Sequence, residues 1–428
     1  MNRAAIIGAG PMGLAACLEL AEQGLRPVLF EADDRVGGMS ASFDFGGLEL
    51  ERFYHFHCTS DVDFLALLER LDLTHRFHWV ETKMGYWYDG KVQGWGNPLA
   101  LVKFRGLSWA AKIRYGAHAF SSVRRNRWRR LDQLQGSTWV RRWVGSEAWE
   151  VLWRRLFELK FYEMTDEVSA AWIWSRVRRI GRSRSSLMKE KLGYLEGGSK
   201  TWLDAVTNRI EAAGGEIRLA SPVDEVVVDN GQLVGIRTGS KLLEFDAVIS
   251  TAPLPLIPRL IPGLPEEQQK RYSQLRNVGA VCVVLKLKRP LTENFWLNTS
   301  DDEMMIPGLV EYSNLRPLDN AVVYVPFYMP TSNSKFSESD EWFIETCQRY
   351  LMRINSDLGP EDFLDFNVGR LQYAQPVCGP GFLDDLPPIQ TGVDGLLVAD
   401  TSHYYPEDRG ISESLALGRR LAELAIGS

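Results

Sequence analysis

Hydrophobic positions near the start of the chain fall into three short blocks that glycines separate. Residues 4–7 form a continuous apolar run of strand length, residues 14–22 show helical spacing, and residues 27–31 form a second apolar run. The glycine-rich residues 8–13 predict a tight turn, and Gly24 predicts the end of the helix. The pattern therefore predicts a strand–helix–strand unit at the beginning of the protein.

The pattern changes several times along the rest of the chain. Residues 100–190 repeat apolar positions at helical spacing, whereas residues 278–288 and 321–328 alternate or run apolar as sheet strands do. The chain closes with a predicted strand at 396–399 and a predicted helix at 411–424. Because strand-rich α/β segments occur at the start, in the middle and at the end, we expect two interleaved domains.

Composition narrows the class of protein. The 428 residues are 45% hydrophobic and 24% charged, which is typical of a globular chain and excludes a disordered, collagenous or coiled-coil protein. No apolar stretch reaches the roughly 20 residues of a membrane-spanning helix, so we expect a soluble protein. Five scattered cysteines without a CxxC pair favour the cytoplasm and give no sign of a metal site.

The glycines of the first turn carry a specific chemistry. Gly8, Gly10 and Gly13 form a GxGxxG motif between a predicted strand and a predicted helix. Gly8 permits the tight turn, Gly10 lets backbone approach a pyrophosphate, and Gly13 lets the helix pack close to the strand. The helix N-terminus offers N–H groups to phosphates, and Glu31 can accept hydrogen bonds from a ribose diol. These features predict a dinucleotide site.

A second glycine pair follows the predicted ribose-binding acid. Gly37 and Gly38, in the string Asp-Arg-Val-Gly-Gly-Met, let backbone pass close to an extended dinucleotide. With the GxGxxG motif and the acid, this string resembles the flavoprotein superfamily of amine oxidases, protoporphyrinogen oxidases and phytoene-type desaturases. The terminal string at residues 405–410 is similar to an uncharacterised bacterial branch called protoporphyrinogen oxidase-like. Later motifs of the superfamily are matched at residues 194–199, 222–223, 245–253 and 395–414.

The resemblance implies that FAD is the cofactor. It implies that Val223 holds the adenine, that Asp400 lies near the ribityl-pyrophosphate, and that the helix starting at Gly410 faces the flavin pyrimidine ring. A helix N-terminus suits that place because reduced flavin gathers negative charge at N1 and O2. Many relatives have Arg where this chain has Met39, so Arg35 could supply that phosphate contact. The implied FAD contacts are Gly8, Gly10, Pro11, Met12, Gly13, Glu31, Ala32, Arg35, Gly37, Gly38, Met39, Val223, Ala252, Asp400, Gly410 and Ile411.

The resemblance also implies the fold class. We expect an α/β protein of two domains, with a Rossmann-like FAD/NAD(P)-binding domain of the glutathione-reductase type and a substrate domain of mixed sheet plus helices. The predicted FAD-binding domain is discontinuous, over residues 1–77, 193–270 and 375–428. The predicted helical cap covers residues 78–192, and the predicted substrate-domain sheet covers residues 271–374.

Candidate catalytic residues lie in two loops. His55 and His57 alternate on an extended segment, which places both imidazoles on one side. Their string resembles the HxFHT segment of UDP-galactopyranose mutases, in which a histidine lies against the flavin. Tyr405 could position or protonate a substrate, and Arg409 could clamp an anionic group together with Arg370. The alternative for each of these residues is an ordinary structural contact or ion pair.

The lysine that flavin amine oxidases hold near flavin N5 has no counterpart by ungapped counting. That position is Val283, and Lys286 would point to the opposite face of the strand. We therefore predict an FAD-dependent oxidoreductase that removes hydride from an organic substrate, at an amine, C–C or C–N bond. This substrate could be lipophilic or phosphorylated. One alternative is a mutase-like flavoprotein acting on a nucleotide sugar, and another is a non-catalytic flavin-binding protein.

Charge is unevenly distributed along the chain. The net charge is −6, yet residues 100–190 hold 20 basic and 8 acidic residues, a balance of +12, with eight of the 14 tryptophans. The segment could be a helical core with Trp139 and Trp149 at helical spacing, or a surface that recognises a phosphorylated substrate. It could also rest peripherally on an anionic membrane through the basic run at 124–130. We expect no nucleic-acid partner because the protein as a whole is acidic.

Overall fold

A computed structural model of the protein describes residues 3–182 and 190–427. The first of its two main sheets has five strands, and every neighbouring pair is parallel. In spatial order the strands are β19 (Leu396–Val398), β13 (Ala247–Ser250), β1 (Arg3–Ile7), β2 (Arg26–Phe30) and β9 (Glu216–Arg218). These strands come from the start, the middle and the end of the chain, as the pattern of hydrophobic runs predicted.

Long helices pack on this parallel sheet and share a core with it. They are α1 (Pro11–Glu22), α2 (Val62–Arg70), α9 (Ser199–Ala212) and α14 (Ile411–Ile426). The first and last of them approach closely, because a Cβ added at Gly418 in α14 would lie 2.2 Å from the carbonyl oxygen of Met12 in α1. Glycine there lets the two helices that begin at the carboxyl edge of the sheet lie side by side.

Smaller elements surround the parallel sheet. The predicted hairpin after residue 222 is present and gains a third antiparallel strand. Its strands are β10 (Glu225–Asp229), β11 (Gln232–Thr238) and β12 (Lys241–Glu244). Two further antiparallel pairs are β3 (Ser42–Asp44) with β4 (Glu49–Glu51) and β5 (Phe77–Thr82) with β8 (Glu190–Leu195). Short helices are α10 (Ile257–Leu260), α11 (Glu266–Gln274) and α13 (Phe382–Asp385).

The second main sheet is mixed and has seven strands. In spatial order they are β18 (Phe363–Pro376), β14 (Asn277–Leu287), β17 (Ala321–Met329), β16 (Gly308–Glu311), β15 (Trp296–Thr299), β6 (Met84–Tyr88) and β7 (Lys91–Trp95). The pair β15–β6 is parallel and the others are antiparallel. One face of this sheet shares a core with helix α12 (Asp340–Ile354).

The structure differs from the predicted helical cap at its beginning. Residues 84–95 form a hairpin of the mixed sheet, and its turn has positive φ at Asp89 (53°) and Gly90 (67°). An Asp-Gly pair between apolar runs is a strong hairpin signal that the prediction overlooked. The domain boundaries themselves stay a prediction, which the placement of the strands supports apart from this hairpin.

Six helices between residues 98 and 182 cover one end of the mixed sheet. They are α3 (Pro98–Lys103), α4 (Trp109–Arg124), α5 (Arg129–Asp132), α6 (Gly136–Leu152), α7 (Arg154–Phe161) and α8 (Ala170–Arg182). Trp139 and Trp149 are buried among them, in agreement with the core interpretation of those residues. The end of the basic segment, at residues 183–189, lies outside the described ranges. Nowhere in the described chain is a helix both long and apolar enough to cross a bilayer.

Candidate active site

A cavity of about 1620 Å³ lies where the parallel sheet, the mixed sheet and the helical cap meet. Its wall includes Gly10 from the first βα turn, Tyr328 from β17 and Trp172 from α8. Pockets that hold one small ligand usually measure about 300–1000 Å³. The cavity is therefore large enough for a dinucleotide and a substrate together.

Two helix N-termini open into this cavity. Gly10 is the N-cap of α1 and Gly410 is the N-cap of α14, and neither has a side chain that could accept from the first-turn N–H groups. The caps and Pro11, Met12 and Ile411 all line the cavity. The first N–H groups of a helix have no partner within the helix, so α1 can bind a negative group there, and α14 can do so at the N–H groups that the Glu413 carboxylate in its first turn does not contact. This arrangement fits a dinucleotide pyrophosphate at α1 and an electron-rich ring edge at α14.

The glycines of the first turn divide into two functions. A Cβ added at Gly13 would lie 1.9 Å from the carbonyl oxygen of Gly8, so Gly13 is required for packing between helix and strand. A Cβ added at Gly10 would meet nothing within 4 Å, so Gly10 keeps open the space that the ligand needs. Gly8 itself has a φ of 99°, a conformation that favours glycine.

Glu31 follows β2 and is fixed by backbone N–H groups. Its Oε2 accepts from the N–H of Ala9 at 2.7 Å, and its Oε1 accepts from the N–H of Asp33 at 2.8 Å. Each carboxylate oxygen can accept a further hydrogen bond, so the side chain can still receive a ribose diol. Glu31 and the following Ala32 both line the cavity, as the ribose-binding prediction requires.

Most of the predicted FAD contacts meet at this cavity. Those that line it are Gly8, Gly10, Pro11, Met12, Glu31, Ala32, Gly38, Met39, Val223, Ala252, Asp400, Gly410 and Ile411. Gly13 and Gly37 lie behind the wall and shape the backbone, because an added Cβ at either would clash with neighbouring atoms. Arg35 is also outside the lining, since its guanidinium pairs with Asp34 and donates to the Ser42 carbonyl. The phosphate contact suggested for Arg35 is therefore not available in this geometry.

Asp400 organises the loop between β19 and α14. Its Oδ1 accepts from the N–H of Ser402 at 2.7 Å, and its Oδ2 accepts from the N–H of Leu254 at 2.9 Å. The carboxylate thus joins the loop to the segment after β13 while it lines the cavity. Asp400 supports the cofactor wall from a fixed position.

His55 and His57 both line the cavity, and so do their neighbours Tyr54 and Phe56. The His57 ring stacks on Phe64 with centroids 3.8 Å apart, and its Nδ1 lies 3.8 Å from Oδ2 of Asp61. Within the described ranges, the buried Nδ1 of His55 has no hydrogen-bond partner. Burial, with the Arg409 guanidinium nearby, lowers the pKa of His55 to about 4, and burial also lowers the pKa of His57. Both imidazoles are neutral at pH 7, and His55 can bond to a ligand.

The two predicted residues of the terminal loop differ in position. Arg409 lines the cavity, donates to the Ala374 carbonyl and lies 3.4 Å from the Tyr328 hydroxyl. Tyr405 lies outside the lining, because its hydroxyl donates to Oδ1 of Asp132 at 2.6 Å and lies 2.7 Å from Oγ of Ser169. Tyr405 thus joins the terminal loop to the cap, whereas Arg409 remains in the candidate catalytic set.

The strand that could have carried an amine-oxidase lysine has none toward the cavity. Val283 packs in the core beneath α12, and the ammonium of Lys286 lies 5.9 Å from the Phe45 ring centroid, away from the cavity lining. Arg370 pairs with Asp340 and is also outside the lining. Arg370 and Arg409 therefore do not form the pair of arginines that the sequence suggested could clamp an anionic group.

Among the lining residues that the sequence did not indicate, four matter for the substrate side: Lys160 in α7, Trp172 and Arg176 in α8, and Tyr328 in β17. The sequence signal for Lys160 is weak, since this lysine lies between a leucine and a phenylalanine but in a helix that also carries Arg154, Arg155 and Glu158. A lysine that is buried needs a chemical reason, because burying an ammonium costs free energy. The other three residues have no such signal in the sequence.

Comparisons with known proteins agree with this geometry. The family model described as flavin containing amine oxidoreductase matches residues 13–424. The 15-cis-phytoene desaturase of Synechococcus elongatus is 25% identical over 321 residues, which cover 68% of this chain and 66% of that protein. The chain spans about half to two thirds of the length of the curated phytoene desaturases that it matches.

Solved structures share the fold along the whole chain. Reduced UDP-galactopyranose mutase gives a TM-score of 0.77 at 18% identity and covers 100% of this chain and 94% of that chain. An Exiguobacterium protein that carries the provisional name protoporphyrinogen oxidase gives a TM-score of 0.76 at 18% identity, with 100% and 99% covered. The predicted fold class is confirmed.

The fold is that of a two-domain FAD-binding protein. The family model spans most of the chain, and the protein belongs to the flavin-containing amine oxidoreductase family. The superfamily inferred from Gly8, Gly37 and the later motifs is confirmed, and so is FAD as the cofactor.

Proposed function

We propose that the protein removes hydride from an organic substrate that is bound in the cavity beside FAD. The observation that supports this most is the meeting of two glycine-capped helix N-termini in one cavity with a mostly apolar and aromatic wall. FAD, when bound, supplies the hydride acceptor. The N-terminus of α1 and Glu31 would hold its pyrophosphate and ribose, and the N-terminus of α14 would stabilise negative charge on its ring.

The residues of the substrate side bind, orient and exclude water. Phe157, Trp153 and Leu156 of the cap cover the cavity with apolar surface. The neutral His55 can fix a polar group of the ligand through its free Nδ1. A site that excludes water and orients the substrate favours hydride transfer over side reactions.

The test of this proposal is anaerobic reduction of the purified, FAD-loaded protein by a substrate panel. Suitable compounds follow from the names of the similar proteins: 15-cis-phytoene, simple amines and UDP-galactopyranose. We expect the flavin absorbance to bleach with one class of organic donor and to return when an electron acceptor is added. A protein that takes up no FAD, or whose FAD no donor reduces, contradicts the proposal.

A mutase-like reaction on a nucleotide sugar is the second candidate, because His55 and His57, whose string resembles a segment of UDP-galactopyranose mutases, both line the cavity. Conversion of UDP-galactopyranose by this protein only after dithionite reduction of the flavin would favour that reaction. Substrate-dependent bleaching of oxidised flavin favours hydride removal instead.

We also propose that the cap rests peripherally on an anionic membrane through helix α4. Trp109, Ile113 and Phe120 lie on one face of this helix with exposed fractions of 64%, 70% and 62%. The ammonium of Lys112 lies 5.0 Å from the Trp109 ring and the guanidinium of Arg124 lies 3.6 Å from the Phe120 ring. Apolar side chains flanked by cations are complementary to anionic headgroups above acyl chains. Phe120 and Arg124 also line the cavity, so a lipophilic substrate could enter from the bilayer.

The membrane proposal predicts a loss of binding when the apolar face becomes polar. The double variant Trp109→Ser and Ile113→Ser should reduce flotation with anionic vesicles at least about tenfold, because burying one such side chain contributes about 1.5–3 kcal/mol. Leu242→Ser with Leu364→Ser is the matched control, since both leucines are exposed elsewhere. Flotation should be weaker with neutral vesicles and at high salt. Equal flotation of both double variants would contradict the proposal.

A further inference from the structure

Lys160 is buried in the wall of the cavity. It lies near the end of α7 between two buried apolar neighbours, and only 9% of its surface is exposed. Its ammonium nitrogen is 4.8 Å from the centroid of the Tyr328 ring and 5.1 Å from the centroid of the Trp172 ring. Ring faces attract a cation but do not neutralise it.

Two further cations share the same rings. The Arg176 guanidinium lies 3.5 Å from the Trp172 ring centroid, and the Arg409 guanidinium lies 5.7 Å from the Tyr328 ring centroid. Both Nη groups of Arg176 contact the carboxylate of Asp408, which also accepts from the backbone N–H of Arg409. Across residues 3–182 and 190–427, neither Lys160 nor the Arg409 side chain has a carboxylate within 4 Å. Asp408 therefore forms its ion pair with Arg176, and within the described ranges the side chains of Lys160 and Arg409 form no ion pair of their own.

We propose that Lys160 and Arg409, which both lie beside the Tyr328 ring, bind a carboxylate or phosphate group of the substrate. The inference rests on the proposed function, because it specifies the substrate of the same cavity. The Arg409 guanidinium has five N–H donors, of which two contact Ala374 and Tyr328, so donors remain for an anionic group, and the Lys160 ammonium supplies further donors. The rest of the substrate would lie against Leu152, Trp153 and Phe157, so the predicted class is an apolar molecule with one acidic group.

Proton uptake accompanies this binding. Burial, together with the charges of Arg176 and Arg409, lowers the pKa of Lys160 well below its usual value, and Asp408 only partly opposes them. The other groups that face Lys160 are the rings of Trp172 and Tyr328. An anion next to Lys160 favours the ammonium and raises its pKa, so binding takes up a proton. Affinity is therefore highest at low pH and falls as the pH rises through the pKa of Lys160 in the free protein.

The experiment is calorimetric titration of the FAD-loaded protein with four probes of similar shape. Benzoate and phenyl phosphate carry the two candidate anionic groups, benzamide is neutral and benzylamine is cationic. We expect one of the anions to bind at least about tenfold more tightly than benzamide and benzylamine. Above the free pKa of Lys160, the dissociation constant of that anion should increase by up to about tenfold per pH unit, the slope for one coupled proton.

Variants of Lys160 separate its role from a general effect on the fold. Lys160→Met should reduce the affinity of the anion relative to benzamide at least about tenfold. It should also abolish the proton uptake that accompanies anion binding. Lys160→Arg keeps the charge, so it should retain the preference but lose the pH dependence. Lys241→Met is the matched control because Lys241 is exposed in β12, and it should behave like the original protein. FAD content and the thermal midpoint show whether each variant is folded.

Several outcomes would overturn the inference. Binding of benzamide as tightly as the anions would overturn it. An anion preference that is unchanged in Lys160→Met would also overturn it. Binding of anions only to the FAD-free protein would mean that the cations serve the cofactor. Failure of FAD binding with retained anion preference would overturn the proposed function alone, whereas normal flavin reduction without anion preference would overturn this inference alone.

Discussion

Valine in place of Gly10 is expected to leave the fold intact and to weaken FAD binding at least about 100-fold, or about 2.7 kcal/mol. Gly10 has a φ of −68°, which any residue adopts, and its added side chain would project into open space at the α1 N-terminus. The same space must admit the pyrophosphate, so the valine side chain blocks FAD binding without clashing with other protein atoms. Titration of the FAD-free variant with FAD, followed by flavin fluorescence, measures the loss.

Gly13→Val is the matched variant, and its main effect should be a loss of folding stability. Its Cβ would lie 1.9 Å from the Gly8 carbonyl oxygen, which is backbone and cannot move aside cheaply. We expect it to lower the free energy of unfolding by at least about 3 kcal/mol, the upper end of overpacking effects. The urea midpoint measures that loss. If Gly10→Val is the unstable variant and Gly13→Val binds FAD normally, the assignment of these two glycines is wrong.

Arg179→Met is expected to destabilise the protein by about 3–5 kcal/mol, because it leaves a buried carboxylate without its partner. Nη2 of Arg179, in the cap helix α8, lies 3.2 Å from Oδ1 and 3.4 Å from Oδ2 of Asp61. Asp61 is 3% exposed and is the N-cap of α2 beside the parallel sheet. The pair thus joins the cap to the FAD-binding sheet, and urea unfolding measures its loss.

The pH dependence of this variant has a defined sign. Burial already raises the pKa of Asp61, while Arg179 opposes that rise, so removal of Arg179 raises the pKa further. A carboxyl whose pKa is raised on folding favours the folded state at low pH and loses that contribution as the pH rises through the folded-state pKa. The deficit of Arg179→Met should therefore be largest at neutral pH and smaller near pH 4.

Two controls accompany the Arg179 prediction. Asp61→Asn combined with Arg179→Met should recover part of the loss, because the amide carries no charge to bury. Arg209→Met removes a pair with Glu22 in which the arginine is half exposed, and it should change stability by less than about 1 kcal/mol. Equal losses of stability in Arg179→Met and Arg209→Met would show that the buried pair contributes no more to stability than the exposed pair.

The FAD side of the site could be predicted because its signals are local. The spacing of Gly8, Gly10 and Gly13 fixes a turn and a helix start within a few residues, and Glu31 lies at the end of the next strand. Local backbone geometry therefore places these groups before any tertiary contact is known. Arg35 is the exception, since its neighbour Asp34 pairs with the side chain that the prediction aimed at phosphate.

The substrate side could not be predicted because it depends on packing between distant segments. Lys160, Tyr328 and Arg409 meet only when a cap helix, a sheet strand and the terminal loop come together. Helical spacing in the basic segment showed that it has a buried face, but not that a lysine would share that face. Tyr405 shows the reverse error, because a tyrosine in the right loop points to Asp132 and not to the cavity.

The order of strands in the parallel sheet has a consequence for synthesis of the protein. Strand β1 lies between β2 and β13, and helix α1 packs against α14, whose first residue is Ile411. The ribosome therefore has to synthesise the residues up to Ile411 before the second helix terminus of the cofactor cavity can form. Strand pairings over such sequence distances form slowly, because the chain loses loop-closure entropy before the stabilising contacts form. A growing chain that ends before α14 consequently presents only the α1 half of the cavity, and complete capture of FAD requires that α14 has been synthesised.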